Sequence, residues 1–240
     1  MKAFLLSAGR ATRLRPWTDR LPKCLIPIQG TPLLGIWLEI CERAGITDVL
    51  INLHWNPEPV REFVKQWQTQ VKVSFTFEKE LLGSAGTIRE NWEWVEGEPR
   101  FWVIYTDVLT TADLTGIAAF DGSHDDGVLT MGLHRVEDPA GCGIATTDGR
   151  GRITAFEEKS SNPKGSLAFA GILLARPTLL QYLADRTPLD FGFHVFPSLP
   201  GRMWGYTISE YLIDIGTKER LTTAEATWPG LGRGNSPPEE

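Results

Sequence analysis

Four short strand-like runs, spaced by segments of helical period, decide most of what this chain can fold into. They are residues 2–7 (KAFLLS), 48–53 (DVLINL), 71–77 (VKVSFTF) and 101–105 (FWVIY). The third alternates and is rich in β-branched and aromatic residues, whereas 2–7 and 101–105 are continuous apolar runs, and such a strand must be covered on both faces, as in a parallel sheet held between helices. Between the first two runs, residues 33–44 put Leu33, Ile36, Trp37, Ile40 and Cys41 on one helical face, and Gly45 follows as a stop. Residues 57–69 start on Pro57 and carry Val60, Phe63, Val64 and Trp67 at the same period, and 83–92 also reads as helix. The resulting β-α-β-α-β-α-β rhythm predicts an α/β fold: a Rossmann-like three-layer sandwich with a mixed, mostly parallel central sheet. Ligands of such sheets bind beyond the carboxyl ends of the strands.

Past residue 127 the pattern shortens. Strands near 128–133, 143–146 and 152–156, with the turn Asp148-Gly149-Arg150-Gly151 between the last two, predict antiparallel pairs. A helix around 177–184, a strand near 203–207 and a helix around 218–226 complete the expectation. The 240 residues fit one domain, 1–228, with halves at about 1–115 and 116–228 and a loose tail at 229–240. The net charge of −6 argues against a nucleic-acid backbone or an anionic membrane as the main partner. Cys24, Cys41 and Cys142 fit neither a disulfide framework nor a zinc site. With no membrane-length apolar stretch and no signal-like N-terminus, the expected location is the cytoplasm. Trp92, Trp94 and Trp102 are candidates for a homodimer surface or for core packing.

The segment after the first run, from Leu6 to Leu25, alternates small residues and cations around a single glycine, Gly9. It matches neither the dinucleotide fingerprint nor the phosphate loop ending in Gly-Lys-Ser/Thr. Ser7, Ala8, Gly9 and Ala11 would let backbone N–H groups approach a phosphate chain, and Arg13 and Lys23 would reach its oxygens. A surface loop with scattered cations is the other reading of these residues.

Thr12-Arg13-Leu14-Arg15-Pro16, then Thr18, then Pro22-Lys23 resembles the signature of nucleoside-diphosphate-sugar pyrophosphorylases. That resemblance implies the nucleotide-diphospho-sugar transferase fold, a nucleotide half before about residue 115 and a sugar half after it. It places Ser7, Ala8, Gly9, Arg10, Ala11 and Thr12 along the nucleotide, with Arg13 and Lys23 as the catalytic cations. Ala11 stands where the family usually has glycine, a change that is tolerated if the backbone torsions there are ordinary. Residues 78–86 (EKELLGSAG) resemble the family's base-binding stretch, with Glu78, Gly83, Ser84 and Gly86 as nucleotide contacts. A carboxylate accepts from the adjacent N1–H and N2–H of guanine, so Glu78 favours GTP.

Asp107, in Tyr-Thr-Asp, and Asp214, in Leu-Ile-Asp-Ile-Gly, resemble the family's two magnesium ligands. On the sugar side, Gly143, Glu158, Lys159 and Gly171 lie in matches to the Gly-Ile, Glu-Lys and Ala-Gly segments, and Phe169 replaces the family's asparagine. The implied reaction joins a nucleoside triphosphate to a sugar 1-phosphate and releases pyrophosphate, with Mg2+ as cofactor. GTP and mannose 1-phosphate are the expected pair. Heptose-, glucose- or amino-sugar-1-phosphate transferases using GTP, dTTP or UTP are alternatives. So is a nucleotide-sugar-sensing homologue without turnover, motivated by Ala11, Thr106 and Phe169. A choline-phosphate cytidylyltransferase is disfavoured by Glu158 and Lys159. The left-handed β-helix that some relatives append is not expected.

Overall fold

The apolar runs assemble into a nine-stranded sheet in this computed structural model, which describes residues 1–232. In chain order the first half holds β1 (Lys2–Leu6), a small hairpin β2 (Pro27–Ile28) and β3 (Thr31–Pro32), α1 (Leu33–Arg43), β4 (Asp48–Leu53), α2 (Glu58–Gln66), β5 (Lys72–Phe77), α3 (Ser84–Glu90) and β6 (Phe101–Tyr105). The second half holds β7 (Val108–Thr110), α4 (Leu114–Gly122), β8 (Leu129–Arg135), β9 (Gly143–Thr147), β10 (Arg152–Glu158), β11 (Leu167–Ala175), β12 (Met203–Thr207), β13 (Leu212–Asp214) and α5 (Lys218–Thr227). The main sheet runs β5-β4-β1-β6-β11-β8-β12-β10-β9, and β13 pairs with β7 in a separate ribbon. From β5 to β6 every pairing is parallel. Beyond β6 only β8–β12 is parallel, so "mostly parallel" describes the first half of the sheet and not the whole.

Strand alternation separates two cores. Ala3 and Leu5 of β1 face one side with Val49, Ile51, Trp102 and Ile104, under Leu34, Trp37 and Leu38 of α1. Phe4 faces the other with Leu50, Phe101 and Val103, against Ile88 of α3 and Phe191 and Phe196. The buried indole of Trp37 donates to the Val108 carbonyl at 2.8 Å and so fastens α1 to the β7–β13 ribbon. The tryptophans considered for a dimer surface pack inward. Trp102 is buried, and Trp94 and Trp92 meet Phe4 and Phe101 edge-on at 5.1 and 5.6 Å.

α4, β11 and the short strands β2, β3, β7 and β13 went unanticipated. α4 contains two glycines and lacks an apolar stripe; Asp113 starts it by accepting from Thr115 N–H at 2.8 Å. β11 (LAFAGILLA) is diluted by alanine and glycine, yet it is the strand that joins the halves, pairing with β6, β8 and β9. Gly171 breaks it at φ 71°, where the register with β8 shifts, and a Cβ there would meet Val108 Cγ2 at 2.8 Å. The expected α-helix at 177–184 is a 3-10 stretch, Pro177–Tyr182. Of the tail expected to be loose, 233–240 lie outside the described residues, whereas the carbonyls of Leu231 and Gly232 accept from Arg43 at 2.6 and 2.9 Å.

Asp121, fully buried at the end of α4, accepts from Thr130 at 2.6 Å and Arg176 at 3.0 Å. Arg100 Nε adds an ion pair at 2.5 Å that lacks hydrogen-bond alignment. Removing a buried charge strands its partners. Asp121→Ala is therefore expected to lower stability by about 3–5 kcal/mol, read as a drop in the urea midpoint at unchanged slope.

Candidate functional site

β1, β4 and β6 run in register, with Leu6 opposite Asn52 and Tyr105, so the segments that follow them leave the sheet at one edge. Buried polar groups there must be hydrogen-bonded, and they tie the exits together. Ser7 N–H donates to Asn52 Oδ1 at 2.6 Å, and Thr106 donates its hydroxyl to the Leu6 carbonyl at 2.9 Å. Asn52 Nδ2 donates to Glu78 Oε1 at 2.8 Å, Thr87 Oγ1 to the same oxygen at 2.5 Å, and Leu82 N–H to Glu78 Oε2 at 3.1 Å. Asn52, Glu78 and Thr87 are all buried. Glu78 thus serves as a strut between β4, α3 and the 79–83 loop. Of the roughly four lone-pair positions a carboxylate offers, protein donors take three.

Above this strut lies a cavity of about 260 Å³, lined by Leu6, Ala8, Gly9, Asn52, Glu78, Leu81, Gly83, Ser84, Thr87, Tyr105 and Asp107. The walls fix its shape through backbone contacts with the second half. Gly83, at φ 81°, packs against the Leu189 carbonyl so closely that a side chain would collide with it. That carbonyl accepts from Ala85 and Gly86 N–H at 3.0 and 2.9 Å, and Leu189 N–H donates to Leu82 at 2.8 Å. Gly86, expected along the nucleotide, therefore directs its N–H at Leu189. Ser84 donates to Asp190 Oδ2 at 3.0 Å.

In the loop after β1, Ala11 adopts φ 46°, ψ 45°, the left-handed region. The condition of ordinary torsions is not met: a methyl group here costs about 1–2 kcal/mol. Hydrogen bonds to its carbonyl from Leu14 N–H at 3.0 Å and Thr18 Oγ1 at 2.9 Å hold it there. Thr12 and Arg13 open the short 3-10 turn Thr12–Leu14. Arg10 donates to His54 Nε2, 3.2 Å away; His54 Nδ1 lies 2.8 Å from the Glu78 carbonyl, which only accepts, so the proton sits on Nδ1.

The β7–β13 ribbon sets Asp214 beside Asp107, opposite Val108 in register. Lys23, largely buried, donates to Asp107 Oδ2 at 2.9 Å. Asp214 Oδ1 is shielded from solvent with no protein partner, and Arg220 stands 3.7 Å from Oδ2. Burial, then the Asp107 carboxylate, push the Asp214 carboxyl above the usual range, against Lys23, Arg220 and Arg13. No cluster of three or more His, Cys, Asp or Glu ligands exists among the described residues. Two carboxylates with one oxygen unpartnered suit a small hard cation that completes its shell with water and phosphate.

In the second half, Glu158 ends β10 opposite Gly143 of β9. A side chain at Gly143 or Gly192 would collide with Glu158 Oε2, so the two bare Cα atoms cradle that carboxylate. Burial raises its pKa, which Lys159 opposes. Lys159 itself is left-handed, at φ 49°, and donates its N–H to the Cys142 carbonyl at 2.9 Å. Phe169, in the asparagine's place, meets Tyr105 and Phe196 edge-on at 5.4 and 5.3 Å and builds an aromatic wall. Gly171 lies against Tyr105, and the phenol's pKa is raised first by desolvation, then by Asp190, with Asp107 and Glu158 contributing. Tyr105 thus stands between that cavity and Glu158.

The sequence model of the nucleotidyl transferase family matches residues 2–227. The chain belongs to that family. It is 29% identical over 224 residues to mannose-1-phosphate guanylyltransferase 1 of Arabidopsis thaliana, covering 90% of this chain and 61% of the relative. It is 28% identical over 222 residues to mannose-1-phosphate guanyltransferase of Yarrowia lipolytica, again covering 90% and 61%. The chain therefore spans about three fifths of the length of these curated relatives. Among solved structures, HddC from Yersinia pseudotuberculosis superposes with a TM-score of 0.79 at 24% identity, covering 94% of this chain and 98% of that one. UDP-glucose pyrophosphorylase complexed with UDP-glucose does so at 0.80 and 18%, covering 94% and 97%. Those likenesses establish the fold.

Four residues of this family member's cavity region escaped the sequence reading: Asn52, Thr87, Tyr105 and Asp190. Asn52 carried a signal, being an amide inside an otherwise apolar strand. Asp190 carried none, because its partner Ser84 is distant in sequence. For Asp214, the folded state holds the proton more tightly than the unfolded chain does. Ionisation therefore lowers stability as pH rises past the unfolded value. Asp214→Asn is expected to melt at a higher temperature than the parent protein at pH 7, with the difference shrinking in acid; calorimetry across pH measures both.

Proposed function

We propose that the chain is a sugar-1-phosphate nucleotidyltransferase that forms a nucleoside-diphosphate sugar and pyrophosphate, with GTP and mannose 1-phosphate as substrates. The observation that carries the reading is the meeting of Lys23, Asp107 and Asp214 at the rim of the cavity. The names of the similar guanylyltransferases support the substrate pair. Glu78 supports guanine less than its charge suggested, because protein donors hold both its oxygens.

The reaction displaces pyrophosphate in line: a sugar-phosphate oxygen bonds to the α-phosphorus as the bond to the bridging oxygen of the β-phosphate breaks. An ionised phosphate needs no general base. Accordingly His54 binds Arg10, His124 lies tilted against Trp204 with ring centroids 3.8 Å apart and His194 accepts from Asp190 N–H at 2.9 Å. Asp107 and Asp214 would hold Mg2+, which when bound neutralises charge between the two anionic reactants. Arg13 and Lys23 steady the triphosphate, Lys159 takes the incoming phosphate, and Glu158 accepts from the sugar hydroxyls. A cytoplasmic setting belongs to the same proposal, supported by free thiols at Cys24, Cys41 and Cys142. No described helix is long and apolar enough to cross a membrane.

Pyrophosphate release assayed with four nucleoside triphosphates against several sugar 1-phosphates tests the class, base and sugar together. Lys23→Ala and Asp107→Ala are each expected to reduce turnover roughly 100- to 1000-fold with unchanged circular dichroism; near-normal turnover in both refutes the assignment. Tight nucleotide binding without release from any pair favours a sensing homologue. Magnesium is expected to raise the melting temperature of the parent protein and leave Asp107→Asn unmoved, which thermal-shift measurements in MgCl2 and NaCl will show.

A further inference from the structure

Phe193 is an exposed aromatic residue, 52% accessible, on a turn whose Phe191, Gly192 and Val195 are buried. The turn, Phe191–Val195, is pinned at its start. Asp190 Oδ1 accepts from Gly192 and Phe193 N–H at 2.9 and 3.3 Å, and Ser84 bridges Asp190 to Phe191 N–H at 3.0 Å. Its neighbour Gly192 is pressed against Glu158. The phenyl face is covered by the Lys159 ammonium, 5.2 Å from the ring centroid. A cation in that position is held by the ring's quadrupole. Lysine carries three N–H donors on a flexible stem, so a ring beneath the ammonium restricts its positions while leaving donors free on the far side. The left-handed backbone of Lys159 turns its side chain off the strand alternation of β10.

We propose that Phe193 is a positioning residue for the sugar 1-phosphate, holding the Lys159 ammonium over its ring so that the remaining N–H donors meet the incoming phosphate. The inference rests on the nucleotidyltransferase reading and deepens its sugar side. It sets Phe193 apart from the aromatic residues that only pack, such as Phe191 and Phe196, both fully buried. The effect falls on one substrate, because the ring touches a sugar-side cation and not the loop after β1.

The test uses the substrate pair with the highest turnover in the panel, beginning with GTP and mannose 1-phosphate. Phe193→Leu keeps apolar bulk and removes the quadrupole. It is expected to raise the KM for sugar 1-phosphate roughly 3- to 30-fold, with the KM for the triphosphate and kcat within about twofold. Phe193→Tyr keeps the ring face and is expected to restore the parent KM. In a Lys159→Ala background the Phe193→Leu change should add nothing, since the two residues form one unit. An unchanged KM in Phe193→Leu, a loss not rescued by tyrosine, or an equal loss without Lys159 overturns the proposal while leaving the reaction class intact. A parent protein silent with every pair, or a Lys159→Ala variant with unaltered sugar-phosphate KM, overturns the sugar-phosphate reading beneath it.

Discussion

Two carboxylates that repel each other set the terms for this site. β7 and β13 form a ribbon whose register places Asp214 next to Asp107, and neither acid can retreat without breaking it. Their mutual repulsion, in a partly desolvated setting, must be met by positive charge. Lys23 meets part of it directly, which obliges the loop after β1 to fold over the end of β6, and Arg13 and Arg220 supply the rest. Trp37 fastens the ribbon to α1 through the Val108 carbonyl, so the strained pair is held by the apolar core.

What the sequence made legible was whatever depended on local period. The strand over 48–53 and the stripe beginning at Leu33 appear at the expected places because burial on one face or two leaves a repeating apolar signature. β11 lacked that signature: alanines and Gly171 suit a crowded strand that pairs with three others, and they look like nothing in particular in isolation. Torsions were equally hidden. Nothing about alanine announces that position 11 is left-handed; only the bonds from Leu14 and Thr18 do.

The acids show the same division. Asp107 was legible because an acid directly after an apolar strand emerges at a ligand-binding edge, whatever packs around it. Glu78 has similar surroundings in sequence, yet its charge is absorbed by Asn52, Thr87 and Leu82, residues whose proximity is a tertiary fact. A residue type conveys what a group can accept. Its neighbours in space decide what it does accept.

The contact of Leu189 with the start of α3 bears on how such a molecule can be taken apart. One carbonyl from the second half closes the backbone of the segment that shapes the cavity in the first, and Leu82 returns the bond. The two halves are therefore not interchangeable modules. A chimera that borrows its second half from a relative would have to import residues 82–86 with 188–192 as one matched piece, or leave buried amides of the 82–86 segment without acceptors.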